Sequence, residues 1–153
     1  MELNLRKEFG FLEGFADLLG TEVKNGLLVI PNDKGKGYLR GLRLDNSINV
    51  IISNYELNTD MIARREGSQN ALSRIMFSFN TIFPDTNPKD KYSREDLPSI
   101  QIFKGKLNIE TFYPGRTKFN TIFIGINSDE LAKTLGLNSD NVIFRNIIDS
   151  EQS

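Results

Sequence analysis

The sequence predicts a mainly β domain, a sandwich or barrel with one helix before its strands and one after them. Three observations predict it. Short runs of β-patterned residues recur from Leu27 to Ile126. Turn signals built from glycine, proline and asparagine separate them at the regular spacing of all-β folds. Helical patterning is confined to the two ends, over 7–19 and 128–136.

From Lys7 to Leu19, Phe11, Phe15, Leu18 and Leu19 fall on one stripe, with Phe9 and Leu12 flanking it and Gly20 placed as the C-cap. Gly10 and Gly14 each weaken this helix by about 1 kcal/mol relative to alanine, so packing must hold it in place. Its stripe is expected to cover the domain's own sheet, the alternative being a partner subunit. After the Asn25-Gly26 turn, Leu27 to Ile30 is a short strand stopped by Pro31. Gly35-Lys36-Gly37 lacks the frame of a phosphate loop and is expected to be a turn. Tyr38 to Leu44 alternates, with Tyr38, Arg40, Leu42 and Leu44 on one face and Leu39, Gly41 and Arg43 on the other.

Asp45-Asn46-Ser47 turns the chain into Ile48–Leu57, which starts as a nearly continuous apolar run, the mark of a strand covered on both sides. Asp60 to Glu66 is short and charged, and Arg64 and Arg65 suit a protected edge. Arg74 to Phe83 puts Ile75, Phe77 and Phe79 on one face. Pro84 to Pro98 holds three prolines and a charged centre, so it is expected to be a loop. Ser99–Phe103 and Leu107–Phe112 are expected to form a hairpin around Lys104-Gly105-Lys106.

Tyr113-Pro114-Gly115-Arg116 is a second turn, and Lys118 to Ile126 is the last clear strand. Ser128 is expected to cap a closing helix, with Asp129 and Glu130 in its first turn and Gly136 just past its end. Residues 141–148 are apolar in parts, and 150–153 are expected to be disordered. No repeat is visible, and residues 1–149 are expected to form one domain.

Composition narrows function. The 153 residues are 39% hydrophobic and 25% charged, which is ordinary for a folded domain. The 19 basic and 20 acidic residues leave a net charge of −1, without the positive excess that autonomous nucleic-acid binding needs. The chain has no cysteine and no histidine, so disulfides, thiolate or imidazole metal sites and a Ser-His-Asp triad are excluded. No cofactor and no metal site are expected. No run approaches the ~18 apolar residues of a membrane-spanning helix. Charges interrupt the apolar N-terminal residues, unlike a signal peptide. A cytoplasmic protein is expected.

Four segments carry a resemblance. The helix F-L-E-G-F-A-D-L-L-G runs into a strand ending I-P. The run G-K-G-Y-L-R-G-L-R-L leads to I-N-V-I-I-S-N-Y-E-L-N-T-D. Next comes I-Q-I-F-K-G-K-L-N-I-E-T-F-Y-P-G, and finally F-N-T-I-F-I-G-I-N-S-D-E-L-A-K-T-L. In this order, over most of residues 9 to 137, they resemble the N-terminal, cupin-like sensor domain of AraC-type transcriptional regulators, especially the Bacteroidetes and ferric-siderophore-regulator branch. The resemblance implies a double-stranded β-helix, a jelly-roll barrel spanning 27–126, that binds a small-molecule effector and often forms a homodimer. In the family a pair of helix-turn-helix units follows and contacts DNA. Nothing in this chain matches those units, so DNA contact is expected only through an absent C-terminal domain.

Inward side chains at the mouth of such a barrel could hold a ligand. The candidates are Tyr38, Arg40, Tyr55, Phe77, Phe79 and Phe112. Arg40 either meets an anionic ligand, sits in solvent, or pairs with a carboxylate such as Glu56, since burying it alone is costly. Phe77 and Phe79 either line the pocket or fill the core. Leu131 and Leu135 either pack on the barrel or pair across a dimer. No carboxylate pair has a spacing that demands acid–base work, so no catalytic residue is expected. The alternatives to a sensor are a metal-independent cupin-like isomerase or lyase, built on Tyr38, Tyr55 and Glu56, and a ligand-free dimerisation module.

Overall fold

The computed structural model describes residues 1–5, 10–44, 47–65, 74–80, 98–104 and 109–136. Their elements run β1 (Glu2–Leu5), α1 (Phe11–Leu19), β2 (Leu27–Val29), β3 (Gly35–Arg43), β4 (Ile48–Leu57) and β5 (Met61–Arg65). They continue through β6 (Arg74–Asn80), β7 (Ser99–Lys104), β8 (Ile109–Tyr113), β9 (Lys118–Asn127) and α2 (Ser128–Thr134). The protein is mainly β, and its described strands form two sheets. One is six-stranded and antiparallel, in the order β2-β3-β4-β9-β6-β7; the other is three-stranded, in the order β1-β5-β8. Among the described strands the two sheets do not join into a closed barrel.

The apolar run of β4 has a simple cause. This strand lies inside the large sheet, paired with β3 from Gly35↔Leu57 to Arg43↔Asn49 and with β9 from Ile48↔Ile126 to Glu56↔Lys118. Both of its faces carry large side chains because both sides of the sheet carry apolar surface.

One face of the large sheet, the helix face, packs against α1 and the small sheet. Leu12, Phe15, Ala16 and Leu19 of α1 meet Leu28, Leu39, Tyr55 and Leu57 of the large sheet. Leu3, Met61 and Ala63 of the small sheet join the same core. Each fully buried leucine or phenylalanine contributes roughly 1.5–3 kcal/mol. That is enough to hold a nine-residue helix with a glycine inside it, which would be marginal alone. Gly10 is the extended N-cap and Gly20 the left-handed C-cap, so the described helix is shorter at its start than the apolar period suggests. An aromatic chain links the layers: Phe11–Phe15, Phe15–Tyr55, Tyr55–Phe119 and Phe119–Tyr113, with centroids 5.7, 5.4, 5.4 and 5.2 Å apart.

Several expectations need correction. Strand β1 was not foreseen; it pairs parallel to β5, from Glu2↔Ile62 to Leu5↔Arg65. That pairing makes β5 the centre of the small sheet rather than an edge. Arg64 bridges its neighbours, 3.1 Å from Glu2 on β1 and 2.7 Å from Glu110 on β8.

Strands β7 and β8 do not form a hairpin. β7 pairs with β6, whereas β8 pairs with β5 and places Met61 beside Tyr113 over the core. A turn signal reports a change of direction, and not which sheet receives the next strand.

Gly35 and Gly37 belong to β3, and the turn lies just before them, where the Pro31 carbonyl accepts the amides of Lys34 and Gly35. The cap of α2 is Asn127, whose side chain accepts from the amides of Asp129 (2.9 Å) and Glu130 (3.3 Å). Ser128 is instead the buried first residue of that helix. The predicted features at 7–9, 45–46, 81–97, 105–108 and beyond Gly136 lie outside the described residues. Among the described residues, no helix is long and apolar enough to cross a membrane.

Candidate functional site

Side chains directly opposite across paired strands share a face, so the registers place each candidate. On the face away from α1, the open face, one row runs Leu27, Arg40, Ile52, Ile122, Phe79, Ile100. The next row runs Leu42, Val50, Ile124, Phe77, Ile102. On the other side of the Arg40 row, Val29, Tyr38, Asn54 and Asn120 line up. Tyr38, Arg40, Phe77 and Phe79 therefore share the open face. Arg40 and Phe79 are three strand spacings apart, about 14 Å, so one small ligand does not touch both.

The other two candidates lie elsewhere. Tyr55 projects from the helix face into the core and is 4% exposed. Phe112 sits opposite Ile62 on the small sheet and is largely exposed. The six residues do not converge. The set considered for acid–base chemistry separates too, because Tyr55 and Glu56 are consecutive on β4 and face opposite ways. Glu56 instead holds Lys36 at 3.0 Å. Arg40 is half-buried between Leu27 and Ile52 and has no ion-pair partner among the described residues.

Tyr55 lies in the aromatic chain, and burial first, then the neighbouring Tyr113 phenol, push its hydroxyl well above the usual tyrosine range. Burial raises Tyr113 as well, opposed by a hydrogen bond with the Thr111 hydroxyl. Both phenols therefore stay neutral, and neither acts as a base near pH 7. On α2, Leu131 is half-buried, while Leu135, the C-cap residue, is exposed. No three carboxylates gather into a metal-holding group among the described residues.

The helix face carries a second arrangement that alternation alone did not disclose. Beyond Leu39, the same cross-strand row continues Ser53, Thr121, Asn80, Ser99 through β4, β9, β6 and β7. The adjacent row holds Ile51, Phe123, Ser78 and Gln101. Ser78 donates to the Asn80 side-chain oxygen at 3.1 Å, and the Asn80 amide donates to the Ser99 hydroxyl at 3.3 Å.

Access falls along the row. Ser99 and Gln101 are exposed, Asn80, Ser78 and Thr121 are half-buried, and Ser53 is buried. Tyr55 and Phe119, paired in the next row, close its inner side. Hydroxyls and amides thus run from solvent toward the buried Leu39, with Tyr55 and Phe119 alongside, and these two rows contain no ionisable side chain. Such groups donate and accept at once, which suits a neutral ligand bearing several hydroxyls or amides. The polar signal was present as Ser78 and Asn80 interleaved with Phe77 and Phe79, and as Thr121 beside Asn120.

Comparison with protein-family models, curated proteins and solved structures finds no match to this chain.

Proposed function

We propose that the chain is the effector-sensing and dimerisation domain of an AraC-type transcriptional regulator, with a cupin-like double-stranded β-helix. Its effector is a small neutral molecule rich in hydroxyl or amide groups, held on the row Ser53, Thr121, Asn80, Ser99. The observation that carries the ligand assignment is that uncharged row on the core side of the large sheet, graded from exposed to buried. The ordered resemblance over residues 9 to 137 supports the family assignment. Helices α1 and α2, placed before β2 and after β9, fit it as well.

Effector binding would favour one of two sensor conformations, and a separate helix-turn-helix unit would read that shift through the closing helix.

The test is thermal stabilisation of the chain by a panel of monosaccharides, polyols and nucleosides. A panel member is expected to raise the melting temperature through binding to the folded state. Asn80→Ala and Thr121→Val are expected to weaken that response at least tenfold, while Arg40→Ala leaves it unchanged. A response lost in Arg40→Ala and intact in the row variants overturns the assignment to this row. No response from any panel member overturns the effector class.

A further inference from the structure

We infer that Asn25-Gly26 is a site of spontaneous covalent modification, where Asn25 converts through a cyclic imide to aspartate and isoaspartate while the chain stays folded. Water is the only co-reactant. The site is separate from the polar row and needs no effector.

This is the only Asn-Gly pair in the sequence, and it forms the two-residue loop that carries the chain from α1 into β2. Lys24 and Leu27 exchange both backbone hydrogen bonds across it, each 2.9 Å. Asn25 has φ 51° and Gly26 has φ 74°, so both loop residues are left-handed and the loop is a type I′ turn. Asn25 is exposed. The Gly26 carbonyl accepts from the Gly41 amide at 2.7 Å. The peptide between Asn25 and Gly26 is different: among the described residues, neither its carbonyl nor its N–H has a backbone partner.

The chemistry uses that unbonded N–H. The Gly26 nitrogen attacks the Asn25 side-chain carbonyl carbon, Cγ, forming an N–Cγ bond. The Cγ–Nδ2 bond breaks, and ammonia leaves with the proton lost from the Gly26 nitrogen. Water then opens the imide at one of its two carbonyls. Cleavage of the new N–Cγ bond leaves aspartate with the original backbone, and cleavage of the original peptide bond leaves isoaspartate, with the backbone routed through Cγ.

The turn supplies the geometry by a single movement. Ring closure needs Asn25 ψ near about −120°, the value at the first loop residue of a type II′ turn, the mirror image of type II. Types I′ and II′ both have positive φ at this position, and both are favoured two-residue hairpin loops. Passing from one to the other rotates the Asn25-Gly26 peptide plane and leaves the Lys24–Leu27 pairing in place. Gly26 accommodates the change because glycine takes either sign of φ. The two products then differ in structure. Aspartate at position 25 keeps the turn, since Asp tolerates positive φ as Asn does. Isoaspartate adds a methylene to a loop whose length fixes the register of its flanks. Leu28 and Ile30 follow at 0% and 2% exposure, so the longer loop is expected to loosen β2 from the core.

The experiment incubates the intact chain in mildly alkaline buffer, folded and in guanidinium chloride. Peptide mapping by mass spectrometry follows Asn25, and isoaspartyl methyltransferase measures the isoaspartate formed. Folded chain is expected to convert at Asn25 first, within about tenfold of the unfolded rate, because the flip between two favoured turns leaves a substantial reactive fraction. Its rate is expected to stay flat in urea below the unfolding transition. A route through opening of β2 would be more than about a hundredfold slower than in the unfolded chain and would climb with urea, since it exposes core residues. Asn25→Asp is expected to keep the urea midpoint of fresh chain, while the purified isoaspartate form unfolds at lower urea. Asn25 left intact in folded chain, conversion first at another asparagine, or a rate that climbs with urea overturns the inference. Equal midpoints for the aspartate and isoaspartate forms overturn the role of loop length in holding β2.

Discussion

The Asp60 carboxylate accepts a 2.8 Å hydrogen bond from the Gly115 amide, tying the β4–β5 crossing to the β8–β9 turn. The same crossing is held at other points. The Met1 amino group donates to the Asp60 carbonyl at 2.7 Å, and the Arg116 amide donates to the Leu57 carbonyl at 2.7 Å. Asn58 binds the turn before β3 through its own amide to the Lys34 carbonyl and its side chain to the Asp33 carbonyl. Two of the places where the chain passes between its sheets are therefore fastened to each other. Asp60→Ala is expected to cost about 1.5 kcal/mol, the low end for a hydrogen bond to a charged group, because this bond is exposed. Asp60→Asn should cost less, because its amide oxygen still accepts. Urea denaturation followed by tyrosine fluorescence checks both, and equal losses in the two variants would show that the bond is not the cause.

Gly37 and Gly41 sit on the same strand and face, yet they are constrained differently. Gly37 has φ 103°, and a Cβ there would strike the Asn54 carbonyl oxygen and come 2.7 Å from the Tyr55 Cα. A Cβ on Gly41 would instead meet the Leu12 side chain of α1. Backbone cannot yield as a leucine methyl can. Gly37→Ala is expected to lose more than about 2 kcal/mol, combining strain with overpacking. Gly41→Ala should lose about 1 kcal/mol or less, and Leu12→Ala should relieve part of that loss in a double-mutant cycle. Additive losses at Gly41 and Leu12 would mean that the two sites are uncoupled.

Sequence alternation resolved the large sheet well and its orientation poorly. Tyr38 to Leu44, Ile48 to Leu57 and Lys118 to Ile126 were legible as strands, and they pair as one block. The Gly20 cap and the apolar stripe of α1 were legible because a helix period and a left-handed glycine are local signals. Strand β1 was not legible, since its partner β5 lies about 60 residues away and pairs in parallel. The site was legible only in part. Alternation at 75–80 separates Ile75, Phe77 and Phe79 from Met76, Ser78 and Asn80, but it does not say which set faces the core. Where the more apolar set lies on an open face, assigning the larger side chains to the interior reverses the strand. That reversal put Phe77 and Phe79 with Tyr55 and hid Ser78 and Asn80.

Tyr55 makes the fold sensitive to alkali. Its folded-state pKa is raised, chiefly by burial, so the native state favours the neutral phenol. The stability this gives is complete below about pH 10, the ordinary tyrosine value, and is lost as pH rises above it toward the raised folded value. The slope is at most about 1.4 kcal/mol per pH unit for this group. Tyr55→Phe keeps the ring against Phe15 and Phe119 and removes the ionisable oxygen. Its stability relative to wild type is therefore expected to improve between pH 7 and pH 11, measured as the shift in urea midpoint at each pH. A constant difference would show that the Tyr55 hydroxyl is solvated in the native state.

The row Ser53, Thr121, Asn80, Ser99 predicts an opposition between stability and binding. Asparagine and serine are poor strand residues, and a half-buried asparagine satisfies only part of its hydrogen-bonding capacity within the sheet. A sheet selected for stability alone would carry β-branched apolar residues there, like the Ile122 and Ile124 flanking Phe123 on β9. Thr121→Val and Ser78→Val are therefore expected to raise the stability of the unliganded chain by about 0.5–1 kcal/mol, as substitutions that remove a binding function often do. Asn80→Ala, which strands the Ser78 and Ser99 hydroxyls, should gain less than Thr121→Val. Thermal unfolding of the three variants without ligand reads this directly. If all three lose stability by more than about 1 kcal/mol, the row serves to hold the sheet together, and its polarity owes nothing to a ligand.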